Sequence, residues 1–337
     1  MKNIKLIGTL TTVTPVSVSI PDTNGMPKNS FGQPYIPATS IRGWLRSSAY
    51  HGVIELLNRH DIKLSVDEHY MLSKGVDTAK VVTTTSGTEK VAKNNSVRQN
   101  NPVFSLYGRW GLAGVLSVGN AFSKTENVLV TVGAGVRNHP FNRDESLIDF
   151  VKLDEKDYLT DILSADSQTS ADTSDYKKQI ATLKRELKAA DSDRKKEIFA
   201  EIESAEKSIR EVKDARVGAS ETIQRPIEGF EAIDANVELS HTFILKDPSD
   251  DEFQAFLWSL YKASVDLSIG GHANVGCGLV NFNWDVYSSS FENPTPTIIG
   301  NISLTQENGF VLNGIDFDPK AFEDRIVSGD INVRQFV

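Results

Sequence analysis

Cysteine is almost missing from this chain: Cys277 is the only one in 337 residues. That excludes an internal disulfide and any cysteine-based zinc site, and it fits a reducing, cytoplasmic setting. Histidine is sparse as well. The six histidines, His51, His60, His69, His139, His241 and His272, show no metal-ligand spacing, and His51 and His60, nine apart, fall on opposite faces of a helix. No metal and no cofactor are expected. Long apolar runs are absent, and Met1-Lys2-Asn3-Ile4-Lys5-Leu6-Ile7-Gly8 lacks the apolar stretch of a signal peptide, so no membrane partner is expected. No nucleophile elbow, Walker loop or dinucleotide fingerprint occurs. Basic charge is short too: the net charge is −9, which argues against generic nucleic-acid binding.

The charge is unevenly spread. The first 150 residues carry 16 Lys and Arg against 11 Asp and Glu, and the remainder carry 20 against 34. Any anion-binding surface therefore has to be local and N-terminal. The strongest local signal lies there, in Gly32-Gln33-Pro34-Tyr35-Ile36-Pro37-Ala38-Thr39-Ser40-Ile41-Arg42-Gly43-Trp44-Leu45-Arg46. Pro37, the Thr39 and Ser40 hydroxyls and the apolar positions Ile41, Trp44, Leu45 and Ala49 predict a helix capped near Ser40. Its N-terminal amides and dipole favour an anion, with Arg42 and Arg46 four apart on the same face. An amphipathic helix with two solvated arginines explains the same residues.

Four segments together resemble the RAMP superfamily, the RNA-binding proteins of CRISPR effector complexes. The segment above is similar to its Ile-Pro-Gly-Ser-Ser-Leu-Lys/Arg-Gly signature. Asn101–Gly108 with Gly114–Phe122 resembles the Leu-Phe-Gly segment and following strand; Glu221–Pro226 with Val237–Leu245 resembles the thumb and its return strand; Ile269–Val280 resembles the glycine-rich closing loop. The resemblance spans residues 1 to about 135 and 220 to about 285, and is nearest to the seventh Cas family in its type IV version. Ala38 stands for the usual Gly, Asn120 for the usual Asp, and a long helical segment lengthens the thumb. The resemblance implies an α+β fold: a ferredoxin-like or RRM-like palm (residues 1–131 and 232–337) with a finger loop and a β-hairpin thumb (132–231). It implies a guide-RNA backbone subunit that lines up with copies of itself in a helical filament, beside other effector subunits, and meets a target nucleic acid through the guide. The RNA-binding residues it implies are Ser40, Arg42, Arg46, Arg137, His139, Arg143, Arg225, Gly270, Gly271, His272 and Asn274.

Along the chain, Ile4 to Thr12 alternates as a strand. Residues 76–101, rich in Thr, Ser, Lys and Asn, read as a mobile loop whose Lys80, Lys90, Lys93 and Arg98 suit a finger on RNA or a solvated surface. Val128–Val136 begins a hairpin. Tyr176, Ile180, Leu183 and Leu187, then Ile198, Ile202, Ala205, Ile209 and Val212, form two narrow seams that predict an antiparallel helical hairpin over 172–216, preceded by a disordered tract at Ser164–Ser174. Ser249 and Glu252 form a capping box for a helix with Phe253, Phe256, Leu257, Leu260 and Tyr261 on its buried stripe. Residues 290–337 show one strand, Phe310–Leu312.

Two other readings stay open on the residues. Asp22, fifteen before Pro37, stands near the spacing of the RNA-cutting aspartate in type III relatives, where a carboxylate would hold a divalent metal at a scissile phosphate; Pro21–Gly25 is equally a plain turn. The third reading is a structural or partner-binding protein in which the helical hairpin makes the key contacts without RNA.

Overall fold

The computed structural model describes residues 2–19, 25–80, 87–137, 145–187, 192–214, 225–227 and 229–336. The chain divides into two compact units, residues 1–132 with 230–337, and residues 133–229.

The first unit begins with β1 (Lys2–Thr12), β2 (Tyr35–Ile36), α1 (Ala38–Arg59), α2 (Val66–Lys74), α3 (Gly87–Asn100) and α4 (Pro102–Tyr107). Five short strands follow: β3 (Gly108–Arg109), β4 (Leu112–Ala113), β5 (Leu116–Val118), β6 (Ala121–Ser123) and β7 (Leu129–Val132). The second unit holds β8 (Gly135–Arg137), α5 (Lys156–Glu186), α6 (Ser192–Asp214) and β9 (Arg225–Ile227). The chain then returns through β10 (Phe230–Ile233), β11 (Glu238–Lys246), α7 (Asp250–Ala263), β12 (Val280–Ser290), β13 (Thr297–Thr305), β14 (Gly309–Asn313) and α8 (Pro319–Ser328).

Among the described residues, eight strands form one antiparallel sheet in the order β14-β13-β12-β1-β11-β6-β2, with β5 also pairing with β11. The period-2 pattern of β1 turns Ile4, Leu6, Leu10 and Thr12 inward, and β11 and β12 do the same with Leu239, His241, Phe243, Leu245, Val280, Phe282, Trp284 and Val286. α1 and α7 cover that face. The Trp44 ring stacks on Phe282 with centroids 5.2 Å apart, and Phe256 meets Phe243 edge-on at 5.5 Å. The two helices approach closely at Gly52, where a Cβ would come 2.9 Å from the Trp258 ring. α7 starts at the expected capping box: Ser249 Oγ accepts from Glu252 N–H, and the Glu252 carboxylate accepts from Ser249 N–H at 2.9 Å. The protein is thus a mixed α/β protein built on an antiparallel sheet.

Three expectations are corrected. Residues 87–100 of the expected loop are helix α3, despite a polar sequence, because tertiary contacts hold them: Val97 is fully buried, Arg98 donates to Ser105 Oγ at 3.1 Å, and Asn94 donates to Gly111 O at 2.9 Å. The Ser164–Ser174 tract is not disordered but part of α5. Its Thr169 and Thr173 extend the Leu183 seam and are buried, each hydroxyl satisfied by the carbonyl four residues earlier, at 2.7 and 2.8 Å. Within the second unit that seam packs Leu183 on Ile198 and Ile202, flanked by Ile180 and Leu187. Finally, β13 and α8 add to the single strand expected after residue 290; α8 is announced by Asp318 at its cap and Pro319 in its first turn.

Candidate nucleic-acid interface

The site is built around the start of α1. The helix begins at Ala38, two residues before the expected Ser40, with Pro37 as its cap residue. Proline has no side-chain acceptor to offer, so the cap comes from elsewhere: Asn120 Oδ1, in the turn between β5 and β6, accepts from Ala38 N–H at 2.8 Å. Pro37 O takes the Ser40 and Ile41 amides. Ser40 and Thr39 therefore do not cap the helix. Their hydroxyls are left for other partners.

From that start, Thr39, Gly43, Ser47 and His51 recur every four residues and are all exposed. They form one stripe along the helix. A Cβ at Gly43 would meet nothing within 4 Å, so the space above it is open. A cleft of about 700 Å³ runs beside this stripe, with Ser40, Gly43 and Ser47 on one wall and Ser268, Gly270 and Gly271 on the other. A second cleft of about 500 Å³ shares Gly43, Ser47, His51 and Lys74 with it and reaches Thr39 and Ser73. Together they make one shallow channel over the outward face of α1.

The glycine wall is fixed by close packing. Gly271 N–H donates to Ser17 O at 2.9 Å, and Gly270, at φ +94°, leaves so little room that a Cβ would lie 2.3 Å from the same carbonyl. Only glycine fits there. Next to it His272 adopts a left-handed φ of +63° and lays its ring flat on Phe230, centroids 3.6 Å apart and 5° from parallel. Asn274 is exposed in the single turn Ala273–Val275.

The arginines behave otherwise than expected. Arg42 gives Nη1 to Leu116 O at 3.0 Å and Nη2 to Tyr107 O. Arg46 spreads over three carbonyls: Nε to Leu72 O at 2.8 Å, Nη2 to Met71 O at 2.9 Å and Nη1 to Gly108 O at 3.2 Å, with the Phe104 and Tyr107 rings each 5.8 Å away. Burial lowers both guanidinium pKa values, that of Arg46 to about 10. Both border the smaller cleft, yet these donors hold α2 and the β3 turn in place. The pair beside the helix start thus serves as a structural clamp, with its donors taken up by backbone carbonyls. The cations that do line the channel are Lys74 and Lys262, and Lys262 is tied to Glu323 at 2.6 Å.

In the second unit the register sets Arg137 directly opposite Arg225 in the β8–β9 pair. His139, Arg143 and Asp22 lie outside the described residues. Among the described residues, no cluster of His, Cys, Asp and Glu is arranged to hold a metal ion, and no helix is long and apolar enough to cross a membrane. Ser47, Lys74 and Phe230 join this arrangement without any motif marking them, and Asn120, marked only as a departure from the family pattern, supplies the cap; the four-residue stripe from Thr39 to His51 is a signal for Ser47 alone.

The family model of the RAMP superfamily matches residues 9–281. The chain belongs to the RAMP superfamily. RAMP proteins are generally CRISPR-associated RNA-binding proteins. In this RAMP protein the matched span contains both walls of the channel and the whole second unit, and it stops before β13. No curated protein matches the sequence significantly.

Proposed function

We propose that this RAMP protein is a non-catalytic backbone subunit of a CRISPR effector, of the seventh Cas family and its type IV version. It grips the sugar-phosphate backbone of a guide RNA and lines up with copies of itself along it. The bases stay free to pair with a target, so sequence is read by base pairing. One observation carries this reading: the start of α1 and the Gly270–Gly271 turn form the two walls of a single open channel. Small hydroxyl and glycine residues on both walls let a strand approach the backbone closely, and the dipole of α1 favours phosphate near its start. The sheet order β12-β1-β11-β6, with α1 leading from β1 toward β6 and α7 from β11 to β12, supports a ferredoxin-like palm. Arg137 and Arg225, partners in the β8–β9 register, suit a thumb arm that meets RNA.

With few unpaired cations along it, the channel holds RNA chiefly through dipoles and hydroxyls, so binding should resist salt. The test is co-expression with a CRISPR array, a high-salt wash, and sizing and sequencing of the retained nucleic acid. Guide-length array RNA in an RNase-sensitive particle is expected, and Gly43→Glu with Ser47→Glu should lose it while remaining folded. Full RNA occupancy in that variant would count against the channel. Cleavage of complementary RNA at regular intervals with Mg²⁺, abolished by Asp22→Ala, would replace the non-catalytic role with a ribonuclease.

A further inference from the structure

The four tryptophans divide sharply: Trp258 and Trp284 are fully buried, Trp44 is nearly so, and Trp110 is 85% exposed. Trp110 occupies the tip between β3 and β4, yet the tip is tightly held. Arg109 donates to Phe336 O at 3.3 Å, to Trp110 O at 3.2 Å and to Asn94 Oδ1 at 2.9 Å, while Arg98 donates to Ala113 O at 2.6 Å. Lys90 completes the arrangement. Its ammonium lies so near the tip that a Cβ at Gly111 would be 2.7 Å from Nζ. Glu89, its neighbour on α3, is engaged by Lys93 at 3.1 Å, and Asp77 is the acid that faces Arg109. Among the described residues Lys90 makes no ion pair.

A flat aromatic ring on a firmly held turn, beside an ammonium that makes no ion pair among the described residues, matches a ligand that offers a π-face and a negative charge one nucleotide apart. Single-stranded nucleic acid has that repeat. An apolar protein surface would answer the ring and leave the Lys90 ammonium facing nothing, whereas Arg98 and Arg109 are already engaged within the tip. We propose that Trp110 is a stacking platform for one base of a single strand, with Lys90 on the adjoining phosphate. Whether that strand is guide or target rests on the guide-binding reading above; the platform itself does not.

Trp110 gives its own readout as the difference between wild type and Trp110→Phe, because Trp258 and Trp284 are fully buried and Trp44, which borders the channel, is present in both proteins. Titrating RNA-free protein with oligoadenylate should quench tryptophan emission. Trp110→Ala should weaken binding about tenfold, as loss of one stacked base implies, whereas Trp110→Phe should keep most of it. Lys90→Ala should reduce the slope of log affinity against log salt by about 0.7. In RNA-loaded particles, quenching already present and relieved by RNase marks the guide; quenching that appears only on adding a complementary strand marks the target. A chain that purifies without array RNA but is quenched by oligoadenylate defeats the guide reading and leaves the platform standing. Unchanged emission with every RNA, or Trp110→Ala that abolishes self-association while binding RNA normally, overturns the platform.

Discussion

Arg46→Ala tests the central reassignment, that this guanidinium holds the protein together. Three charge-assisted bonds leave at once, each worth about 1.5–3 kcal/mol net when the acceptor is left dry. The full sum is not expected. Met71 O keeps the Gly75 amide at 2.9 Å, and the bond to Gly108 O is the longest of the three at 3.2 Å. Leu72 O loses its Arg46 partner, and the Phe104 and Tyr107 rings lose a cation. A loss of about 4 kcal/mol follows, lowering the thermal midpoint by about 5–10 °C in a chain this large. Arg46→Lys should recover little, because an ammonium cannot span three carbonyls as the planar fork does. Arg59→Ala is the control: its partner Glu55 is exposed on the same helix, and the change should cost under about 0.5 kcal/mol. Thermal and urea unfolding would be read beside retained RNA per folded molecule. A midpoint matching wild type, together with loss of RNA from folded protein, would refute the clamp and restore Arg46 to the phosphate.

Three further outcomes are expected. His241 is buried, accepts the Trp284 indole N–H on Nδ1 at 3.1 Å, has no partner on Nε2 among the described residues, and is pushed down by burial to about 4. Below pH 6.5 the unfolded chain therefore takes up a proton that the folded one refuses, so stability falls as pH drops toward 4, by about 3 kcal/mol in all; urea unfolding at several pH values should show the slope, and His241→Gln should flatten it. Gly43→Ala should stabilise α1 by about 0.5–1 kcal/mol yet lower RNA retention, since the space it fills lies in the channel; a stabilised variant with full RNA would remove Gly43 from the interface. Asn120→Ala should cost about 1 kcal/mol by uncapping α1, measured by denaturant unfolding, and an unchanged midpoint would deny the cap.

What the sequence disclosed and what it hid follow from the range of the interactions. The strand at Ile4–Thr12, the Ser249–Glu252 box and the seam through Leu183 and Ile198 depend on neighbours a few residues away, and periodicity reports such neighbours directly. The fate of Arg42 and Arg46 depends on carbonyls 25 to 74 residues distant. Nothing in an arginine four residues from another says whether tertiary structure will bring it a phosphate or a helix end. The cap on α1 arrives from 82 residues away, so the nearby hydroxyls of Thr39 and Ser40 were the natural but mistaken candidates. α3 and the Ser164–Ser174 stretch were misjudged for one reason: polar composition describes a lone segment, whereas Val97, Thr169 and Thr173 are buried through contacts and bonds made elsewhere.

The β7–β10 pair has a consequence for how the chain can be rebuilt. Val132 and Phe230 are direct partners across it, so the 97 residues between them leave and re-enter at one rung of a ladder. Partners on such a rung are only about 5 Å apart. The pair is therefore a port: a two-residue Asn-Gly turn would seal it, and any cargo whose own ends lie that close can be mounted there without shifting a residue of the sheet register. The length of the insert and the geometry of the channel are in this way independent variables.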